Sequence, residues 1–467
     1  MGAANPARLA GTINPGPTAR TRLMLEGAIL PTLLKLSAPN LLYFFAMLGL
    51  IVFDGLFVRQ LGLDALAGVA LVFPFVMAVL HLSGSGIGGA VTSSVARAIG
   101  AGDRKKASAL AAHAIILAVC VTSIVMMIML PLGTVIYTRM GARGHALDAA
   151  LLYSSIVFGG VIFICLFNIL ASVVRGTGNM LLPALVQICL VAGYMVISPL
   201  LIFGAGPMPT LGVAGGGFGL LGAFGLGSLY LLRYMRSGKA PIDLHLAKTP
   251  FEWRYFSEFL RVGIPGIFNV AANNLAVVGI TMLAGQLERD AQIGYALAAR
   301  LEYIIIPIAF VFGMTLVAMV GTNWGARQYG RARHIAWTGG ALAGVGCGLV
   351  GGFCAIFPEL WMGLFTSQKE IVRIGGMYLL IVGPAYALFG FGQALYFARQ
   401  GFGNPLPAVL ANLVRFAICV GGGFFAIRVF GNEPVPLFAL IAFGFAVYAL
   451  LNALILWRTR NPVPGAV

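Results

Sequence analysis

The sequence predicts an all-α polytopic membrane protein with twelve transmembrane helices in two six-helix lobes. Of its 467 residues, 60% are hydrophobic and only 9% are charged, whereas a soluble domain carries about 25% charged residues. Twelve apolar stretches are each long enough to cross a bilayer, which takes roughly 20 helical residues. The two halves of the chain also match each other at many positions, and this repeat predicts the two lobes.

The twelve predicted spans follow one another along the chain with mostly short polar connections. Several are longer than the minimum, as expected for tilted helices. They cover residues 38–58, 66–96, 109–137, 149–173, 181–203, 211–233, 257–285, 291–321, 335–357, 373–398, 405–429 and 435–457.

The longest polar connection divides the chain into two halves. We predict an N-terminal lobe over residues 26–235, a cytoplasmic linker over 236–256 and a C-terminal lobe over 257–467. Residues 1–25 contain Gly, Pro and Arg without the apolar core of a signal peptide, which predicts a disordered tail.

Lys and Arg are distributed unevenly between the two predicted sides of the membrane. On the side of the N-terminus there are 21 of the 30, seven lie on the other side, and Arg300 and Arg415 fall inside spans. Because positive loops stay in the cytoplasm, both termini are predicted to be cytoplasmic and the protein to reside in the cell inner (plasma) membrane. This bias also accounts for the net charge of +16 without a nucleic-acid partner.

The two halves repeat at an offset of 225 or 226 residues. The matches include Pro39 with Pro265, Gly100-Ala101 with Gly325-Ala326, Tyr153 with Tyr378, and Gly176-Thr-Gly-Asn179 with Gly401-Phe-Gly-Asn404. A repeat of six spans starts both copies on the same side of the membrane. The lobes are therefore predicted to be related by a pseudo-twofold axis along the membrane normal, with a cavity between them, which is typical of transporters.

Two acidic residues, Asp54 and Glu302, lie inside predicted spans. Their counterparts in the other half are Ile280 and Val76, so neither carboxylate is repeated. A charge at such a position costs at least ~2.5 kcal/mol on insertion scales. Asp54 is interpreted as an ion or substrate site facing a polar cavity. The alternatives are a buried acid satisfied by neighbouring hydroxyls, or an acid close enough to the membrane surface to be hydrated. Glu302 either takes part in transport or closes a polar network between helices 7 and 8.

The sequence resembles the multidrug and toxic compound extrusion (MATE) family over nearly its whole length. The motifs that carry the resemblance are Asp54-Gly-Leu-Phe-Val-Arg-Gln-Leu-Gly62, Ala96-Arg-Ala-Ile-Gly100, Arg175-Gly-Thr-Gly-Asn179, Gly263-Ile-Pro265, Ala299-Arg-Leu-Glu302 and Gly321-Thr-Asn-Trp-Gly325. The resemblance implies an exporter of bulky, often cationic organic compounds that is driven by proton or sodium antiport. It also implies that Asp54 matches the family's cation-binding aspartate on helix 1.

The chain departs from the family pattern at three places. The Asn-x-x-x-Asp of helix 5 is replaced here by Tyr194 and Ser198, the helix 7 glutamate of one subfamily falls on Asn273, and its helix 10 aspartate falls near Phe389. Asp54 thus lacks a second acid, and sodium needs several oxygen ligands, so protons are favoured as the coupling ion. The predicted ion-coupling residues are Asp54, Glu302, Tyr194 and Ser198, with no resident cofactor.

A substrate surface is predicted on helices 1 and 7. Its candidate residues are Tyr43, Met47, Phe268, Asn269 and Asn273. Aromatic faces attract positive charge, so this surface suits flat lipophilic cations or drugs. The alternative is that these aromatic side chains face lipid or fill the core of a lobe. The expected partners are small organic molecules and the lipid bilayer, and the protein is expected to be a monomer.

Two other functions compete with a drug exporter. A lipid-linked oligosaccharide flippase would need several Lys or Arg side chains in the cavity to hold pyrophosphate, but only Arg300 and Arg415 lie within spans. A membrane-embedded lipid-modifying enzyme would need a cluster of acid/base or metal-binding residues, and the sequence shows none. The sequence therefore predicts a transporter and not an enzyme.

Overall fold

The computed structural model of the protein describes residues 18–204, 210–242, 244, 250–431 and 433–459, and the regular structure in these ranges is helical. The helices of the N-terminal lobe are α1 (Ala19–Glu26), α2 (Ile29–Arg59), α3 (Leu63–His81), α4 (Ile87–Gly100), α5 (Arg104–Arg139), α6 (Gly144–Gly159), α7 (Val161–Gly176), α8 (Leu181–Phe203) and α9 (Val213–Arg236). The helices of the C-terminal lobe are α10 (Trp253–Ala284), α11 (Arg289–Ala298), α12 (Glu302–Gly325), α13 (Tyr329–Ile356), α14 (Pro358–Met362), α15 (Lys369–Val382), α16 (Tyr386–Gly401), α17 (Leu406–Phe416), α18 (Gly422–Phe430) and α19 (Pro434–Trp457).

These helices form the predicted spans, two of which are bent. Within the described residues, ten helical segments are long and apolar enough to cross a bilayer, and the bent pairs α6–α7 and α15–α16 bring the number to twelve. The bends measure 46° and 50° and occur at Gly160 and at Gly383 to Ala385. Glycine and proline are the usual causes of such breaks. The predicted all-α, twelve-helix fold is therefore confirmed.

The internal repeat is visible in the backbone. Gly178 and Gly403 are 225 residues apart, and each adopts the same left-handed conformation with φ of 82° in the turn after its helix. Glycine adopts this conformation without steric cost. Arg327 stands 225 residues after Gly102, and both also have positive φ, at 62° and 74°. Equivalent turns thus join equivalent helices in the two lobes.

The structure corrects one boundary, that of the tail predicted over residues 1–25. Residues 1–17 lie outside the described residues, but α1 begins at Ala19, where the Thr18 hydroxyl accepts a hydrogen bond from Thr21 N. Met24 is fully buried, and its carbonyl oxygen accepts a hydrogen bond from Asn323 Nδ2 at 3.0 Å. This helix is ordered by contacts with the other lobe, which no local sequence pattern reveals.

The lobes contact each other at one end of the molecule, which we call the basic face. The basic face carries the loops at 101–103, 177–180, 237–242, 326–328 and 402–405. Among the described residues, the hydrogen bonds between the lobes lie in the half next to this face. They include Ser37 Oγ to Thr315 Oγ1 (3.0 Å), Asn40 Nδ2 to Val311 O (3.1 Å), Arg97 Nη2 to Glu258 Oε1 (2.8 Å) and Gln400 Nε2 to Ser85 O (3.3 Å). The cleft between the lobes therefore opens away from the basic face.

Two glycines bring the backbones of the lobes together at the basic face. A Cβ atom at Gly100 would lie 1.9 Å from the carbonyl oxygen of Thr322, and one at Gly325 would lie 2.0 Å from that of Arg97. Gly325 and Thr322 stand 225 residues after Gly100 and Arg97, so the repeat relates the two contacts. Any side chain at either glycine would force the lobes apart.

An ion pair across the lobes should stabilise the closed basic face. Glu258 on α10 binds Arg97 at 2.8 Å and Lys106 at 3.2 Å, both from the N-terminal lobe. We expect Glu258→Gln to weaken closure by about 1 kcal/mol, or roughly fivefold in the closed-to-open ratio, because both ion pairs of this partly buried carboxylate are lost. The measurement is the rate of maleimide labelling at Ser93→Cys, a position that is fully buried between the closed lobes.

The labelling should be done in a background without Cys120 and Cys189, which are exposed. The matched control is Glu370→Gln, which breaks the exposed pair with Arg373 (2.5 Å) within the C-terminal lobe. Labelling of Ser93→Cys at equal rates in the Glu258→Gln and Glu370→Gln proteins would contradict a role for the interlobe pair.

Candidate functional site

Asp54 lies on α2 and faces the interior of the N-terminal lobe. Tyr194 on α8 donates its hydroxyl hydrogen to Asp54 Oδ1. Ser198 follows Tyr194 by four residues, which places it on the same face of α8. Both side chains are fully buried, and Ser198 Oγ has no hydrogen-bond partner within the described residues. The structure therefore brings together three of the four residues predicted to couple an ion.

The glycine-rich start of α9 leaves room for this group. A Cβ atom at Gly216 would lie 3.9 Å from Asp54 Oδ1, and one at Gly219 would lie 3.1 Å from Ser198 Cβ. A larger side chain at either position would compete for the space of the polar groups. Small residues thus let α9 approach α2 and α8 closely, as they often do in membrane proteins.

A small cavity adjoins the Asp54 carboxyl. Its volume is about 30 Å³, and its lining is mostly apolar. The lining residues are Leu50, Asp54, Val69, Phe73, Val76, Met77, Leu80, Tyr153, Ile164, Leu220 and Phe224. This volume accommodates a water molecule or a small ion, but no bulky organic compound. Of the two features considered from the sequence, the hydroxyl that satisfies Asp54 is present, whereas the cavity beside it is mostly apolar and not polar as expected.

Tyr153 is a site residue that the sequence-based prediction missed. It lies on α6, is 3% exposed and lines the same cavity as Asp54. Its repeat partner in the other lobe is Tyr378 on α15, whose hydroxyl lies 3.4 Å from Glu302 Oε1. Each lobe therefore places the equivalent tyrosine beside its own unrepeated carboxyl. The pairing of these tyrosines in the repeat was the signal that could have identified them.

Glu302 forms a second polar centre, which lies in the C-terminal lobe. Its Oε1 accepts hydrogen bonds from Tyr378 and Tyr386, both at 3.4 Å, and the two phenol oxygens are 3.0 Å apart. Asp54 and Glu302 belong to different lobes, so the structure places them in two separate polar centres, and ion coupling by Glu302 stays a prediction. The polar network was predicted to join the seventh and eighth spans, residues 257–285 and 291–321. This prediction is corrected, since the hydrogen-bond partners of Glu302 lie on α15 and α16.

A buried arginine, Arg415, organises the neighbouring polar residues of the C-terminal lobe. Its Nε donates to Asn412 Oδ1 at 2.8 Å and its Nη2 to Asn273 Oδ1 at 2.7 Å. Asn412 Nδ2 donates in turn to Asn269 Oδ1 at 2.9 Å. The candidates Asn269 and Asn273 thus belong to one network. From the sequence, Arg415 could be recognised only as a charge within a span, and no role was predicted for it.

The aromatic and methionine candidates are distributed over different environments. Tyr43 is 7% exposed and lies under the Arg175 guanidinium, with 5.6 Å from Cζ to the ring centroid. Met47 is half-buried, and its Sδ lies 3.2 Å from Gln187 Nε2 on α8. Met47 and Asp54 share one face of α2, as predicted, but this face packs against α8. Phe268 is 59% exposed. Substrate binding by these residues stays a prediction.

The two lobes therefore carry one membrane-embedded carboxyl centre each, on opposite sides of a cleft that is closed at the basic face. Such a pair of helical lobes defines the class of the protein, a polytopic membrane transporter. Known proteins support this class. The sequence profile of the MatE family matches residues 39–200 and 265–423, one segment in each lobe. The chain belongs to the MatE family of transporters and is not an enzyme.

Three relatives are similar to this chain over most of their length. The FAD transporter of Shewanella oneidensis is 24% identical over 85% of this chain and 87% of its own. The probable multidrug resistance protein NorM of Thermotoga maritima is 25% identical over 77% of both chains. The multidrug export protein MepA of Staphylococcus aureus is 24% identical over 84% of this chain and 85% of its own.

Solved structures share the fold. A MOP superfamily transporter from Pyrococcus furiosus, described as having a binding pocket of reverse polarity, superimposes with a TM-score of 0.85, covering 95% of this chain and 98% of its own. A MATE family transporter in an outward-facing conformation superimposes with a TM-score of 0.83 over 95% and 98% of the two chains. Both are 22% identical to this chain, so they show the twelve-helix, two-lobe fold alone.

Proposed function

We propose that this protein is a cation-coupled antiporter that exports bulky, often cationic organic compounds by alternating access. The observation that carries the proposal is the Asp54 carboxyl, which accepts a hydrogen bond from Tyr194 and adjoins a cavity of about 30 Å³. A buried acid in a membrane span is costly, so its presence favours a functional role. The cavity suits a small ion or water, and the bulky compound would occupy the cleft between the lobes.

Protons are the proposed coupling ion. The Asp54 carboxyl is accompanied by the hydroxyls of Tyr194, Ser198 and Tyr153, and by no second acid within its cavity. Hard cations are usually held by several oxygen ligands with carboxylates among them. A single carboxyl with hydroxyl neighbours needs only one proton to become neutral. Glu302, bonded to two tyrosines, is the proposed second carboxyl of the transport cycle in the other lobe.

The relatives support export of small molecules. Two of the three named above are called multidrug proteins, and the third is called an FAD transporter. A flavin nucleotide is therefore a second candidate substrate, and the buried guanidinium of Arg415 favours it because a phosphate group can bind there. In both cases the compound is proposed to be released on the side where the cleft opens.

The proposed orientation places the basic face in the cytoplasm, because positively charged loops are retained there. The cleft then opens outward, both termini lie in the cytoplasm, and the protein resides in the cell inner membrane. The proposed functional unit is a monomer, since each chain contains both lobes and both polar centres.

The proposal is tested by transport in proteoliposomes that contain the purified protein. We expect accumulation of rhodamine 6G or ethidium to follow an imposed pH gradient at constant sodium concentration, and to vanish when the gradient is collapsed by an ionophore. A sodium gradient at constant pH should have little effect. Transport driven by sodium alone would refute proton coupling, and absence of transport under every gradient would refute the antiport proposal.

A further inference from the structure

Arg415 is a buried cation near the C-terminal end of α17 and near the middle of the span Leu406–Phe430. It is 5% exposed, and its two hydrogen-bond acceptors, Asn412 and Asn273, are neutral amides. No carboxylate forms an ion pair with it in the part of the chain that the structure describes. The remaining nitrogen, Nη1, has no hydrogen-bond partner in the same ranges. A guanidinium in these surroundings has donors to offer to an anion.

Aromatic rings surround the rest of the guanidinium. The ring centroids of Phe389, Phe445 and Tyr448 lie 5.9, 5.8 and 5.7 Å from Arg415 Cζ. Such contacts stabilise a cation without neutralising its charge. They also hold the planar group in place, so that little side-chain freedom is lost when a ligand binds.

Glu302 is an acid near Arg415, but it forms no ion pair with the guanidinium within the described residues. Glu302 lies close enough to Arg415 to act on it electrostatically, but its hydrogen bonds go to Tyr378 and Tyr386. Glu302 and Asn273 are both half-buried, which places the edge of the network at an accessible surface of the C-terminal lobe. A ligand group that reaches Asn273 is therefore adjacent to the guanidinium.

Guanidinium and amide donors together recognise oxyanions. Arginine binds carboxylate and phosphate groups through two parallel hydrogen bonds, and the surrounding low dielectric strengthens them. We propose that Arg415 and Asn273 form a subsite for the oxyanion of an exported aromatic compound, so that the transporter prefers compounds carrying a carboxylate or phosphate. This inference rests on the proposed export function, but it changes the preferred substrate class from organic cations to aromatic compounds that carry an oxyanion.

The test uses two ligands that differ only in an oxyanion, FMN and riboflavin. Binding to the purified wild-type protein in a maltoside detergent without phospholipid is followed by flavin fluorescence. We expect FMN to bind roughly 10- to 100-fold more tightly than riboflavin, the range for hydrogen bonds to a charged group. Arg415→Gln should abolish this preference, and Arg415→Lys should keep part of it. Arg428→Gln, an exposed change near the end of the same span, is the matched control.

Several outcomes would overturn the inference. These are equal affinities of the wild-type protein for the two flavins, no binding of FMN, or a preference that persists in a folded Arg415→Gln protein. Displacement of FMN by added phosphatidylglycerol would assign the subsite to a lipid headgroup and would also overturn it. Proton-driven transport of rhodamine 6G in the same preparations would show that the export proposal stands independently.

Discussion

Replacing Asp54 with asparagine is expected to abolish proton-driven efflux while leaving the protein folded. Asparagine has nearly the same volume, and its carbonyl oxygen can still accept the hydrogen bond from the Tyr194 hydroxyl. It cannot bind and release a proton, so the coupled cycle stops. We expect the rate of gradient-driven efflux to fall to that of protein-free liposomes, while the melting temperature in detergent stays within a few degrees.

Two further variants make this experiment specific. Tyr194→Phe keeps the ring but removes the donor to Asp54, so efflux should be reduced and not abolished. Glu302→Gln keeps an acceptor for Tyr378 and Tyr386 and removes the second carboxyl, and we expect reduced efflux at unchanged melting temperature. If efflux and melting temperature both drop in Glu302→Gln, that residue braces the C-terminal lobe. Wild-type efflux in Asp54→Asn would refute the role of Asp54.

A single methyl group at the basic face should stop the transport cycle. Alanine at Gly100 would place its Cβ 1.9 Å from the Thr322 carbonyl oxygen, and alanine at Gly325 would meet the Arg97 carbonyl oxygen at 2.0 Å. Both contacts are with backbone atoms of the opposite lobe, which cannot rotate away. Overpacking of this kind costs about 1–3 kcal/mol or more. Closing the basic face would then be disfavoured by roughly 5- to 150-fold or more.

Each lobe should still fold, because the overlap exists only when the lobes meet. We therefore expect Gly100→Ala and Gly325→Ala to lower efflux at least about fivefold and to raise labelling of Ser93→Cys at the basic face. Gly330→Ala is the matched control, since no atom lies within 4 Å of its added Cβ. Normal efflux with Gly100→Ala would show that closure at this contact is not part of the cycle.

The global fold could be derived from the sequence because the bilayer imposes it. Apolar stretches of membrane length must form helices, and an even-numbered repeat orients both halves alike. The acid Asp54 could be identified for the same reason, since a carboxyl in hydrocarbon is rare and costly. Tyr194 and Ser198 were identified because they occupy the positions of a family motif on α8.

Only the tertiary structure decided how these residues are distributed between the lobes. Glu302 pairs with tyrosines of α15 and α16, and Arg415 joins Asn273 across α10 and α17, contacts between residues 76 to 142 positions apart. Helical periodicity shows which face a side chain lies on, but not which helix packs against that face. The sequence predicts a disordered tail where α1 lies for the same reason. Met24 is held by a hydrogen bond from Asn323 of the other lobe, and no local pattern shows this contact.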